Sequence, residues 1–81
     1  MKVKVEFLAV ALSLKENVGK NGNKYYQISI DQNGEAGSIG ITEELYKTLA
    51  PTLVKYKPYM FTGEFNDSYG SMRIVNAVLG R

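Results

Sequence analysis

The 81-residue sequence contains no cysteine, no histidine and no tryptophan. Without cysteine or histidine, the chain cannot form a Ser-His or Cys-His nucleophile, a thiolate or imidazole metal site, or a switch that titrates near neutral pH. The absence of cysteine also excludes disulfide bonds, which fits a reducing compartment. These absences exclude enzymes that rely on such nucleophiles or on thiolate or imidazole metal ligands before any motif is considered.

Long apolar runs are missing as well. The N-terminus alternates charged and apolar side chains, and no segment is apolar for long enough to form a signal peptide or a membrane span. We therefore expect a cytoplasmic protein. The length and a hydrophobic content of 44% predict a single domain over residues 1–81. A core of this size without a disulfide or zinc ion rarely supplies more than about 3–5 kcal/mol, so dimerisation would add stability.

Positive charge is in slight excess, and its distribution is uneven. The formal net charge of +2 is too small to indicate a polyanionic partner by itself. Three lysines, however, lie close together in a stretch rich in glycine and asparagine. They are Lys15, Lys20 and Lys24. Such lysines can follow a phosphate backbone, although they also occur on many proteins that bind no polyanion.

Alternating apolar residues predict that the chain begins with a long β-strand. Val3, Val5 and Phe7 alternate with charged residues, which is typical of a half-buried strand. After Phe7 the apolar positions shift by one residue. The shifted positions are Leu8, Val10, Leu12 and Leu14. Such a shift predicts a β-bulge, or a strand that serves two parts of a closed barrel.

A polar loop and a second strand follow. The glycines and asparagines of residues 16–23 predict a loop, and the apolar alternation of residues 25–32 predicts a strand. The side chains predicted to point inward are Tyr26, Ile28 and Ile30. Because neighbouring side chains of a strand point to opposite faces, Tyr25 and Gln27 are predicted to point outward.

The middle of the chain carries clear turn and capping signals. Asn33-Gly34 predicts a tight hairpin that leads into a third strand over residues 35–41. Thr42 is the predicted N-cap of a short helix, because two glutamates follow it at the positive end of the helix dipole. The pair Ala50-Pro51 is predicted to end that helix.

Two further strands complete the predicted fold. They cover residues 59–65 and 72–79 and are joined by a hairpin at Asn66–Ser71. The predicted protein is therefore all-β with one short helix, and its elements are three strands, the helix and a final hairpin. This order predicts the five-stranded OB-fold Greek-key barrel. An SH3-like barrel is the main alternative, and the position of the helix favours the OB-fold.

Two sequence patterns stand out against this predicted fold. Lys15 and Lys20 are followed at set spacing by Gly22 and Tyr25, and an aromatic-Gly-Ser-apolar sequence occurs at Tyr69–Met72. Together they resemble the gene V type single-stranded DNA-binding proteins of filamentous bacteriophages, which are small OB-fold dimers. This chain carries lysine where that family favours arginine.

The resemblance implies both a function and a partner. It implies a homodimer formed through the Asn66–Ser71 hairpin, with Tyr69 of one subunit contributing to the DNA site of the other. It also implies a protein that coats single-stranded DNA during replication of a phage, plasmid or mobile element in a bacterial cell. Stacking on tyrosine would be independent of base sequence, and lysines and amides would contact phosphates, sugars and bases. The predicted nucleic-acid-binding residues are Lys15, Lys20, Asn21, Asn23, Lys24, Tyr25, Gln27, Tyr69 and Arg73.

We predict no catalysis and no cofactor. Glu43 and Glu44 are explained by the helix start, and no carboxylate pair, or serine with a base, completes a set of nucleophile, base and orienting group. Two other functions stay open. One is a small β-barrel that binds protein through its tyrosines. The other is an OB domain that binds RNA, because nothing in the sequence would detect a 2′-hydroxyl group.

Overall fold

The regular elements follow one another in the predicted order. The computed structural model describes residues 1–66 and 71–80. The elements are β1 (Lys2–Val18), β2 (Lys24–Gln32), β3 (Glu35–Ile41), α1 (Glu43–Leu49), β4 (Pro58–Asn66) and β5 (Ser71–Leu79). Each predicted strand is therefore present, and β3 has the predicted ends.

The five strands close into a barrel in the order β1-β2-β3-β5-β4. Neighbouring strands are antiparallel except for β3 and β5, which run parallel and meet at Ile41 and Ile74. The helix α1 lies between β3 and β4 in the chain. This strand order and helix position are those of the five-stranded OB-fold barrel. The OB-fold prediction is confirmed over its SH3-like alternative.

The core lies inside the barrel and is built around aromatic rings. Phe61 on β4 is fully buried, and its ring centroid lies 5.6 Å from that of Phe7 and 5.9 Å from that of Tyr59. Among the described residues, the large side chains that are fully buried are Phe61, Ile28 and Ile74. These side chains come from β4, β2 and β5, so three of the five strands contribute to the centre of the core.

The strand β2 has the predicted orientation. Tyr26 and Ile28 are buried, which leaves Tyr25 on the outer surface. The turn into β3 is the predicted two-residue hairpin, since Asn33 and Gly34 have φ values of 55° and 85°. The register of β2 thus fixes which aromatic residue faces solvent.

The strand β1 serves two parts of the barrel, as predicted. Its first half pairs with β4 and its second half pairs with β2. The register shifts between Ala11 and Ser13, and Phe7, Ala9 and Ala11 all face the interior. Leu8 is 51% exposed. The predicted bulge is confirmed, but its predicted position directly after Phe7 is wrong, because alanines occupy the inward positions there.

The helix begins and ends as predicted. The Thr42 hydroxyl oxygen accepts a hydrogen bond of 3.2 Å from the Leu45 backbone N–H, which caps the first turn. Leu45 and Leu49 are buried on one face. No helix in the described part of the chain has the length and apolarity needed to span a membrane.

Candidate nucleic-acid interface

The turn between β1 and β2 presents three predicted residues to solvent, Lys20, Asn21 and Asn23. It covers residues 19–23, which is shorter than the predicted loop of residues 16–23 because β1 continues further. Two backbone hydrogen bonds of 2.7 and 3.0 Å close it. Gly22 has a φ of 79°, which glycine adopts without strain. Lys20 and Asn21 are exposed at its tip.

The outer face of β2 carries an exposed aromatic ring beside polar side chains. Tyr25 is 51% exposed, and Asn17 lies opposite it on β1. The Asn17 side-chain amide donates a hydrogen bond of 3.1 Å to Gln27 Oε1. Lys15 lies opposite Gln27 in the same pair of strands. The structure therefore groups Tyr25, Gln27 and Lys15 on one surface.

A groove of about 590 Å³ lies where β2 runs past the end of β3. We call it the Tyr25 groove; residues 23–27, residues 40–43 and Arg73 line it. Five of the predicted binding residues are among them. These are Asn23, Lys24, Tyr25, Gln27 and Arg73. Arg73 is distant in sequence and reaches the groove because β5 lies beside β3 in the closed barrel.

Four predicted residues do not line the Tyr25 groove. Lys15 lies next to it through its pairing with Gln27, and Lys20 and Asn21 project from the turn. Tyr69 lies outside the described residues, as do residues 67–70 of the predicted hairpin. The role assigned to Tyr69 therefore stays a prediction.

The cations at this surface differ in whether a carboxylate already engages them. Lys24 Nζ lies 3.7 Å from Glu16 Oε1, an exposed pair that contributes little stability. No carboxylate in the described part of the chain pairs with Lys15, Lys20 or Arg73. Within the described residues, Lys15, Lys20 and Arg73 are thus in no ion pair, and Lys24 can leave its weak pair for a phosphate.

One wall of the groove is acidic and joined to the helix. The Tyr26 hydroxyl donates a hydrogen bond of 3.3 Å to Glu43 Oε1, and the Tyr26 ring stacks on Tyr46 at 4.4 Å between centroids. Burial, followed by the negative charges of Glu43 and Glu16, raises the pKa of the Tyr26 hydroxyl above its usual value. Tyr26 therefore stays protonated at neutral pH and acts as a donor that holds α1 against β2.

Sequence reasoning missed three residues at this surface. The sequence predicts a loop at Asn17, and only the register of β1 against β2 brings it beside Tyr25. The sequence predicts only a helix-capping role for Thr42 and Glu43, yet both line the Tyr25 groove. The start of the helix fully accounts for both residues in the sequence, so no sequence signal indicates that they also line the groove.

Comparison with known proteins supports the fold. No family model matches the sequence, and no curated protein matches it. Among solved structures, the chain is similar to a mitochondrial single-stranded DNA-binding protein from S. cerevisiae, with a TM-score of 0.60 and 17% identity over 98% of this chain and 97% of that chain. At this identity the likeness shows the OB-fold alone. The gene V resemblance is therefore supported in its fold, and the phage type stays a prediction.

Proposed function

We propose that the protein binds single-stranded DNA without sequence preference and coats it during replication of a phage, plasmid or mobile element. The observation that carries the proposal is the Tyr25 groove, which brings an exposed tyrosine, polar amides and the Arg73 guanidinium together. Exposed aromatic faces beside cations are what sequence-tolerant binding of a single strand requires. The similar solved structure is also of a single-stranded DNA-binding protein, which agrees with the proposal.

Each group at the surface has a distinct role in this proposal. The exposed face of Tyr25 stacks on a base, an interaction that every base offers equally. Lys15, Lys20 and Arg73 neutralise phosphates and release counterions. Gln27 contributes an amide that hydrogen-bonds to sugar or base atoms. Since lysine is a point charge, bidentate reading of base sequence is not part of the proposal.

A salt titration with oligo-dT tests the proposal directly. If three cations engage phosphates, the slope of log affinity against log salt concentration is expected to be about −2, because each phosphate of a single strand contributes about −0.7. Quenching of tyrosine fluorescence reports binding, since the chain has no tryptophan to obscure the signal. An affinity that does not fall as salt rises would contradict the proposal.

The same assay separates the alternatives. A protein-binding module with solubilising lysines predicts no tyrosine quenching by poly-dT at any salt concentration. An RNA-binding OB domain predicts tighter binding of oligo-rU than of oligo-dT at matched length, because only RNA carries the 2′-hydroxyl group. Preferential binding of oligo-dT supports the DNA assignment.

A homodimer is the second part of the proposal. The gene V resemblance implies a contact through the Asn66–Ser71 hairpin, whose tip lies outside the described residues. The described residues add an apolar row on neighbouring strands β1, β4 and β5. Its members are Leu8, Met60 and Val78, which are 51%, 40% and 58% exposed. A second copy that covers this row would bury apolar surface that is exposed in the monomer. This burial would add to the small stability that one core supplies.

A charge in the apolar row is expected to dissociate the dimer. Met60→Glu should raise the dimer dissociation constant at least about tenfold, because the interface would bury an unpaired carboxylate from each copy. Sedimentation equilibrium measures the change, and Met60→Leu is the matched control that keeps the row apolar. If Met60→Glu remains as dimeric as Met60→Leu, the row is not the interface and the hairpin is the remaining candidate.

A further inference from the structure

A second groove adjoins the Tyr25 groove on the other side of Arg73. It has a volume of about 320 Å³ and lies at the base of the β4–β5 hairpin. We call it the Lys2 groove; the residues lining it include Lys2, Thr42, Glu64, Ser71, Arg73 and Val75. Thr42 and Arg73 line both grooves. The two depressions therefore share a wall and form one path across the barrel.

We propose that the Lys2 groove is a phosphate subsite that continues the path of the single strand beyond Tyr25. This inference rests on the function proposed above and extends it to Lys2 and Glu64, which no sequence pattern indicated. A strand stacked on Tyr25 passes Arg73, and its next phosphates enter the Lys2 groove. The ligand is the sugar-phosphate backbone, so the subsite is independent of base sequence.

The charges of the Lys2 groove support this assignment. Arg73 presents a guanidinium at the junction, and no carboxylate in residues 1–66 and 71–80 forms an ion pair with it. The Lys2 side chain is 65% exposed and supplies a second cation. The Ser71 hydroxyl group adds a neutral donor. Two cations and a hydroxyl group along a short groove suit an anionic backbone rather than an apolar ligand.

Glu64 opposes this binding and sets its strength. Its carboxylate lies 3.8 Å from Lys2 Nζ, and in the sheet Glu64 pairs with Lys4 on one side and Arg73 on the other. Lys2 is 65% exposed and Glu64 is 26% exposed, and the 3.8 Å separation is long for an ion pair, so Lys2 can leave Glu64 for a phosphate. The carboxylate then remains in the groove and repels the strand. The Glu64 carboxylate thus weakens binding of the strand, and its removal should strengthen that binding.

Two substitutions of opposite expected sign test the subsite. Lys2→Gln should weaken binding of long oligo-dT about 5-fold at 0.1 M salt and reduce the salt slope by about 0.7, the contribution of one phosphate. Glu64→Gln should tighten binding of the same oligonucleotide. Neither change should affect oligonucleotides too short to reach past Arg73. Lys55→Gln is the matched control, because it removes an exposed lysine that lines neither groove.

A series of oligo-dT lengths, read by tyrosine fluorescence at fixed salt concentration, separates the outcomes. A gain in affinity with length that Lys2→Gln removes and Lys55→Gln keeps supports the subsite. Equal length dependence in both variants, with no tightening in Glu64→Gln, overturns it while leaving the proposed function intact. Failure of the wild-type protein to bind at every length overturns the proposed function and the subsite together. Thermal unfolding of each variant confirms that the comparison is between folded proteins.

Discussion

Tyr25→Ala is expected to weaken oligo-dT binding by about 5- to 150-fold, which corresponds to the roughly 1–3 kcal/mol that one stacked base contributes. The side chain is 51% exposed on the outer face of β2, so its loss removes a stacking platform rather than a part of the core. Stability should change by no more than about 0.5 kcal/mol, as is usual for a surface substitution. Fluorescence titration and urea unfolding of the same sample measure the two quantities.

Two further variants make this result specific. Tyr25→Phe keeps the ring and should retain most of the affinity, because stacking needs the aromatic face and not the hydroxyl group. Tyr56→Ala removes a tyrosine that is 73% exposed but lies outside both grooves, and it should bind as the wild-type protein does. Equal losses in Tyr25→Ala and Tyr56→Ala would show that the Tyr25 groove is not the binding site.

The parts of the fold that the sequence predicted are those governed by local chemistry. The Asn33-Gly34 turn requires residues that accept positive φ, and the Thr42 cap requires a side-chain oxygen before a free N–H group. Both signals are contained in a few adjacent residues. The two signals predict where β3 begins and ends and where α1 begins. The element order of the OB-fold follows from these boundaries.

The course of β1 could not be predicted in the same way, because apolar residues on this strand do not all face the core. Ala9 and Ala11 are buried, while Leu8 points outward beside Met60. The large inward side chains of the opposing strands fill the barrel, so small residues suit these β1 positions. At this point the large apolar residue Leu8 lies on the outer face. A prediction based on large apolar residues therefore assigns it to the core and places the bulge too early.

The part of the candidate site that lies on β2 can be predicted from the sequence. The part that other strands contribute through closure of the barrel cannot. Alternation along β2 put Tyr25 and Gln27 on the outer face, and the structure agrees. The other wall comes from Thr42 and Glu43, which meet β2 only because β3 pairs with β2 and joins β5 in parallel. Lys2 reaches the adjoining groove through pairing of β1 with β4. Such long-range contacts leave no trace in local sequence patterns.

Phe61→Ala is expected to unfold most of the protein at 25 °C. The ring is fully buried between Phe7 and Tyr59, and truncation of such a side chain costs about 3–5 kcal/mol through lost burial and the cavity left behind. A single core of this size rarely supplies more than about 3–5 kcal/mol, so little stability would remain. Urea unfolding followed by circular dichroism measures the loss. Phe61→Leu is the control, because it keeps much of the volume and should stay folded.

Ligand binding connects this prediction to the proposed function. A ligand that binds only the folded state adds about 2.7 kcal/mol at a concentration of 100 times its Kd, so oligo-dT should restore much of the folded signal of Phe61→Ala. The double variant Tyr25→Ala/Phe61→Ala should need a proportionally higher oligo-dT concentration, because its folded state binds more weakly. A wild-type urea midpoint for Phe61→Ala would contradict the core described above. Unfolding that oligo-dT fails to reverse, in a wild-type background that binds it, would mean that the folded barrel is not the binding species.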